Sequence, residues 1–240
     1  MSRFDCVFFD SGGTLYQHLA DCTDPSRQEV NARRLERVAA LISVFGVEIG
    51  FDELAAVLTR CEVGCRDTLG VRYNYHQLMI TFIDELGLAL GPEEAACLAD
   101  AYCGPRYASW LFPGTRAMLQ ALHDAGLYLG VIANTYWPGF TMDRAFAGVR
   151  LLQFFRTRIY SGDVGVAKPD PAIFLLAEEV SGRRGGRILY VGDDLEADVH
   201  GAAGAGWTAA LRRPEAAAGD DLADFVFGHC DELTDFVLGD

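Results

Sequence analysis

The sequence predicts an α/β protein: a doubly wound parallel sheet interrupted early by an inserted bundle of helices. Three observations support this. The apolar run "FDCVFF", residues 4–9, stops at Asp10 and reads as a buried strand. From about residue 24 to 108 the hydrophobic period becomes helical, with no strand pattern between. After that, strand patterns alternate with helical ones almost to the end, which implies a parallel sheet covered on both faces.

The elements follow in order. "PSRQEVNARRLERVAALISVFG" is an amphipathic helix with Pro25 expected in its first turn and Gly46 past its end. "GFDELAAVLTRCEVGC", "YNYHQLMITFIDELG" and "GPEEAACLADAYCG" repeat the pattern, each bounded by Gly, Pro or an acidic first turn. Strands are expected in "LYLGVIAN", "RTRIYSG", "RILYVGDD", "WTAALRR" and "DFVFG". Helices are expected at 115–125, 170–180 and 196–204, and "EAAAGDDLAD" as a surface turn. The first strand therefore stands apart from the rest of its sheet. The economical division is an α/β core of residues 1–16 and 109–240 with a helical unit, 17–108, inserted between.

Composition excludes several roles. The chain carries 20 basic and 34 acidic residues, a net charge of −14, so nucleic acid and anionic membrane surfaces would repel it. No window approaches the roughly 18 apolar residues of a membrane span, and no signal-peptide pattern precedes the first strand. Seven scattered cysteines without CxxC spacing fit a reducing cytoplasm. Cys61 and Cys65 share a helix face but read as packed thiols. Any phosphate bound by so acidic a chain needs a local device to overcome the field.

Ligands of open parallel sheets sit at the carboxyl ends of strands. Here those ends carry Asp10, Asn134, and Asp193 with Asp194; Asp198 lies one helical turn on, and Lys168 just beyond "RIYSG". The insertion begins beside Asp10, so it should overhang these groups as a lid. Clustered carboxylates are hard oxygen donors suited to Mg²⁺, although a helix N-cap is the plain alternative for Asp194 and Asp198. Lys168 is the single lysine of the chain.

"FFDSGGTL", "VIAN", "AKPDP" and "YVGDDLEAD" occur in the order and spacing of the four motifs of the haloacid dehalogenase-like hydrolases. The chain resembles that superfamily along essentially its whole length, and the inserted helices look like its C1-type cap. The resemblance implies a Rossmann-like core and an aspartate nucleophile, Asp10. It implies Mg²⁺ held among Asp10, the Gly12 carbonyl, Asp193, Asp194 and Asp198. It also implies substrate phosphate held by Ser11, Gly12, Gly13, Asn134 and Lys168, with Thr14 fixing the turn. The expected partner is a small phosphorylated metabolite, with no nucleic acid or membrane, and the expected state a monomer or homodimer.

Two positions depart from the family pattern. Family phosphatases carry a second Asp two residues after the nucleophile, which protonates the leaving oxygen; here Gly12 stands there. Losing a general acid–base costs about 10²–10⁴ in rate. Ala133 replaces the usual Ser or Thr of the second motif, and Thr135 is a possible substitute hydroxyl. A relocated proton carrier is sought among Tyr16, His18, Tyr73 and His76. Arg27, Arg33, Arg34, Arg66 and Arg72 are the cap cations considered for a substrate's further charge. The alternatives are a dehalogenase-like hydrolase acting on carbon, or a weakened protein that binds a phosphorylated ligand or a protein partner. Schiff-base chemistry from the cap is closed, since no lysine precedes Lys168.

Overall fold

The computed structural model describes residues 3–185, 187–213 and 223–239. The chain opens with β1 (Cys6–Phe9) and then builds four helices: α1 (Arg27–Val44), α2 (Phe51–Leu69), α3 (Tyr75–Glu85) and α4 (Pro92–Cys103). It continues through α5 (Thr115–Asp124), β2 (Tyr128–Ala133), α6 (Gly139–Gly148), β3 (Thr157–Tyr160), the short α7 (Ser161–Val164) and α8 (Pro171–Ser181). Then come β4 (Ile188–Gly192), a turn of π-helix (Leu195–His200), α9 (Gly201–Gly204), β5 (Thr208–Arg212), β6 (Phe225–Phe227) and α10 (Cys230–Leu238). The turn expected at 215–224 lies, apart from its last two residues, outside the described residues.

The strands form one sheet in the order β3-β2-β1-β4-β5-β6, every pair parallel. That order is the doubly wound one, and its direction reverses between β1 and β4. Alternation along β1 sends Val7 and Phe9 into one apolar layer and Cys6 and Phe8 into the other. All four are fully buried, so neither face of this strand meets water. Each fully buried Phe or Val side chain contributes about 1.5–3 kcal/mol.

Apart from Val30 of α1, which is buried with the core of the sheet, the four early helices pack on a cluster of their own. Leu54, Val57, Leu58, Cys61 and Cys65 of α2 and Tyr75, Leu78, Met79, Phe82 and Ile83 of α3 are buried at helical spacing. Cys61 and Cys65 pack within this cluster, and the Cys65 thiol donates to Thr81. Helix α1 starts at Ser26, whose Oγ accepts from the Glu29 N–H while Glu29 accepts from the Ser26 N–H. That reciprocal cap puts Pro25 ahead of the helix rather than in its first turn. No helix among the described residues is long and apolar enough to cross a membrane.

Two other expectations needed revision. The helix α6 was not anticipated; its ten residues follow Pro138 and bury Thr141, Met142, Ala145 and Phe146. The single helix expected at 196–204 is a π turn followed by α9. Both Asp198 and Val199 donate their N–H groups to the Asp194 carbonyl there, which widens the turn and carries the Asp198 side chain inward.

Candidate active site

At the switch point, β1 and β4 end side by side, and the Asp10 N–H extends their pairing to the Val191 carbonyl at 2.8 Å. Asp10 thus emerges at the floor of a cavity of about 340 Å³. Ser11, Gly12, Tyr16, His18, Arg106, Asn134, Lys168, Asp193, Asp194 and Asp198 are among the residues that line it.

The floor is a buried ion cluster. Lys168 Nζ donates to Asp10 Oδ1 at 2.7 Å, to Asp198 Oδ1 at 2.6 Å and to the Tyr190 hydroxyl at 2.6 Å. The Tyr190 O–H donates in turn to the Ile132 carbonyl at 2.9 Å. The other Asp198 oxygen accepts the N–H groups of Asp193 and Asp194, each at 3.0 Å. All three ammonium protons are therefore satisfied, which a buried cation requires. Burial alone would lower the Lys168 amine, but Asp10 and Asp198 overcome it and hold the amine raised. Burial pushes the Asp10 carboxyl up; Lys168 opposes this, while Asp198 and Asp193 add to it.

The loop after β1 doubles back tightly. Leu15 N–H donates to the Ser11 carbonyl at 2.9 Å and Gly13 N–H to the Tyr16 carbonyl at 2.7 Å. Gly13 has a φ of +88°, and a Cβ there would run into the Asp193 carboxylate and the His18 ring. Only glycine accommodates both demands. Thr14 Oγ1 donates to Asp193 Oδ1 at 3.0 Å, and His18 Nε2 donates to Asp193 Oδ2 at 3.0 Å. The bond to Asp193 raises the His18 imidazole above its ordinary value.

The predicted residues converge to different degrees. Asp10, Lys168, Asp193 and Asp198 meet directly, and Ser11 and Gly12 line the cavity. Gly13 and Thr14 do not line it. The Gly13 N–H is spent inside the turn, whereas the Ser11 and Gly12 N–H groups, on residues that line the cavity, make no backbone hydrogen bond among the described residues. Asn134 uses its amide as a two-pronged clamp on the Lys168 backbone, with both bonds at 2.9 Å. Asp194 caps the π turn through the Ala197 N–H, as the N-cap alternative foresaw. Thr135 Oγ1 accepts the Trp137 N–H within its own loop.

Of the four side chains considered for proton transfer, Tyr16 and His18 reach the cavity and Tyr73 and His76 do not. Tyr73 is buried in the helical cluster, and His76 meets the Pro92 carbonyl and packs edge-on against Phe140 of α6. A Cβ built on Gly12 would stand 3.4 Å from His18 Nδ1 and 3.5 Å from the Tyr16 ring. These two rings thus occupy the space next to the position without a side chain. None of Arg27, Arg33, Arg34, Arg66 and Arg72 lines the cavity. Arg106, which follows α4 where the chain returns to the sheet, does. Sequence reading passed over it and over Tyr190; the signal for Arg106 was its place at that return crossing.

Carboxylate oxygens of Asp10, Asp193 and Asp198 lie within 4.8 Å of one another. Three acids around one ammonium leave negative charge uncompensated, and hard oxygen donors so placed suit Mg²⁺. The residues present therefore fit a divalent cation.

A family model for haloacid dehalogenase-like hydrolases matches residues 4–206. The chain is 28% identical over 240 residues to a glyceraldehyde 3-phosphate phosphatase of Methanopyrus kandleri, covering 96% of each protein. It is 34% identical over 137 residues to a phosphoserine phosphatase of Thermus thermophilus, 55% of this chain and 53% of that relative. Among solved structures, a HAD phosphatase from Thermococcus onnurineus superimposes with a TM-score of 0.59 at 26% identity, covering 98% of this chain and 99% of that one. A 2-haloacid dehalogenase from Pseudomonas syringae, at 21% identity and a TM-score of 0.61 over 97% of each chain, shares the fold.

Proposed function

The chain belongs to the haloacid dehalogenase-like hydrolases, and from that premise we propose that it is a phosphatase acting on a small phosphorylated metabolite. The observation that carries this reading is the buried Lys168 cluster joining Asp10 to Asp198, with Asp193 alongside. Full-length relatedness to a sugar-phosphate phosphatase supports phosphate rather than carbon as the centre attacked. Residues 17–108 form the cap over a core of 1–16 and 109–240.

Asp10 is the nucleophile. Lys168 holds Oδ1, so Oδ2 attacks phosphorus while the bond from phosphorus to the leaving oxygen breaks. The Ser11 and Gly12 N–H groups receive the phosphoryl oxygens, and the Lys168 ammonium balances their charge. His18, which fills the space beside Gly12, gives a proton to the leaving oxygen. It then takes one from the water that attacks phosphorus and frees Asp10. Asp10, Asp193 and the Gly12 carbonyl are the groups that would hold Mg²⁺, while Asp198 and Asp194 order the β4 loop. When bound, the cation neutralises charge on the transferring phosphoryl group.

The test is hydrolysis of an aryl phosphate with and without Mg²⁺, in the wild type and in Asp10→Asn. Magnesium-dependent turnover abolished by the substitution is expected. Turnover that survives Asp10→Asn refutes the mechanism, and inactivity on every phosphomonoester tried refutes the phosphatase reading.

A further inference from the structure

We infer that Arg106 is the specificity residue of this site, and that the substrate is a small phosphomonoester carrying a second anionic group, which Arg106 receives. The inference rests on the phosphatase reading above and narrows its substrate class.

Arg106 is a fixed cation in an otherwise acidic cavity. Its guanidinium stands 4.1 Å from the Tyr16 ring centroid, 4.5 Å from that of Trp137 and 5.9 Å from that of Trp110. Aromatic faces hold a guanidinium in place without consuming its in-plane donors. One donor reaches the Tyr16 hydroxyl at 3.2 Å. No acidic side chain pairs with Arg106 among the described residues. The other lining cation, Lys168, is spent on Asp10, Asp198 and Tyr190.

An unpaired arginine in a chain of net charge −14 is not there for want of acids. Its position links it to the reacting end. The Tyr16 ring whose hydroxyl accepts from Arg106 also stands 3.5 Å from where a Cβ on Gly12 would be, beside the loop that follows the nucleophile. One phenol therefore separates the guanidinium from the loop that receives phosphate. The planar fork binds carboxylate or phosphate by two parallel hydrogen bonds. A volume of about 340 Å³ is near the lower end for ligand pockets, which favours a short molecule spanning both points.

Binding rather than turnover separates this inference from the phosphatase reading. Calorimetry with Mg²⁺ present would compare methylphosphonate, phosphonoacetate and propane-1,3-diphosphonate against the wild type, Arg106→Met and Arg106→Lys. One of the two doubly anionic probes should bind the wild type at least about tenfold more tightly than methylphosphonate. Whichever does so identifies the second group as carboxylate or phosphate. Arg106→Met should remove that preference and leave methylphosphonate within about twofold, and Arg106→Lys should keep part of it. A wild type with no preference overturns the inference, as does an Arg106→Met that weakens all three probes alike. An intact preference without phosphatase turnover would overturn the earlier reading, and the phosphomonoester with it, while still assigning Arg106 the second anionic group of the ligand.

Discussion

His18 Nε2 donates to Asp193 Oδ2 at 3.0 Å although the two residues lie 175 positions apart. The contact brings the loop after β1 onto the end of β4 and stations an imidazole against Gly12. If that imidazole carries the proton, His18→Asn should lower kcat on a poor leaving group by about 10²–10⁴. The loss should be much smaller for a nitrophenolate leaving group, which needs no acid. Equal losses on both substrates would make His18 a residue that only positions Asp193.

Gly12→Asp should raise phosphatase activity. A Cβ added there stands in ordinary contact with the His18 and Tyr16 rings rather than overlapping them. It should also make His18 dispensable, so His18→Asn costs far less in the Gly12→Asp background. Steady-state kinetics on the four proteins of this cycle measures the coupling.

Removing Mg²⁺ with a chelator should abolish turnover and lower the melting temperature, because a ligand that binds only the folded protein stabilises it. At 100 times its Kd the effect is about 2.7 kcal/mol. Asp193→Ala should erase the Mg²⁺-dependent rise in melting temperature. Calorimetric scans with and without the ion check this.

Tyr190→Phe removes the hydroxyl that joins Lys168 Nζ to the Ile132 carbonyl. It leaves both buried partners short of a bond, at a cost of about 1–3 kcal/mol. Denaturant unfolding should show that loss, while kcat falls far less than in Asp10→Asn.

Asp198→Ala should be more severe. Lys168 and Asp198 side chains are each 2% exposed, and breaking such a pair costs about 3–5 kcal/mol. The N–H groups of Asp193 and Asp194 also lose their acceptor. A fall in the unfolding midpoint on that scale, alongside lost Mg²⁺ binding, is expected.

Much of the fold was legible because it is written in local patterns. The apolar runs at 4–9 and 187–192 and the helical periods of 27–103 specify elements that bury one side or both, whatever their neighbours. The helix α6 escaped because "GFTMDRAFAG" is short and interrupted by polar residues; packing against the sheet stabilises it more than its own pattern does. The π turn escaped because nothing local demands it. It exists because Asp198 must reach Lys168 and the Asp193 and Asp194 N–H groups at once.

By itself the sequence determined the alternation of elements, the insertion after the first strand, and the residue types able to meet at the strand ends. Asp10, Lys168 and Asp193 could be named because each is tied to the end of a buried strand or to a turn beside it. Tertiary structure alone decided which charges are spent and which are free. It spent Lys168 on Asp10 and Asp198, turned Asn134 onto the Lys168 backbone, set His18 beside Gly12, and left Arg106 among aromatic rings with no acidic partner among the described residues. Those outcomes depend on contacts between residues distant in the chain, where burial and distance set the electrostatics, and no local period encodes them.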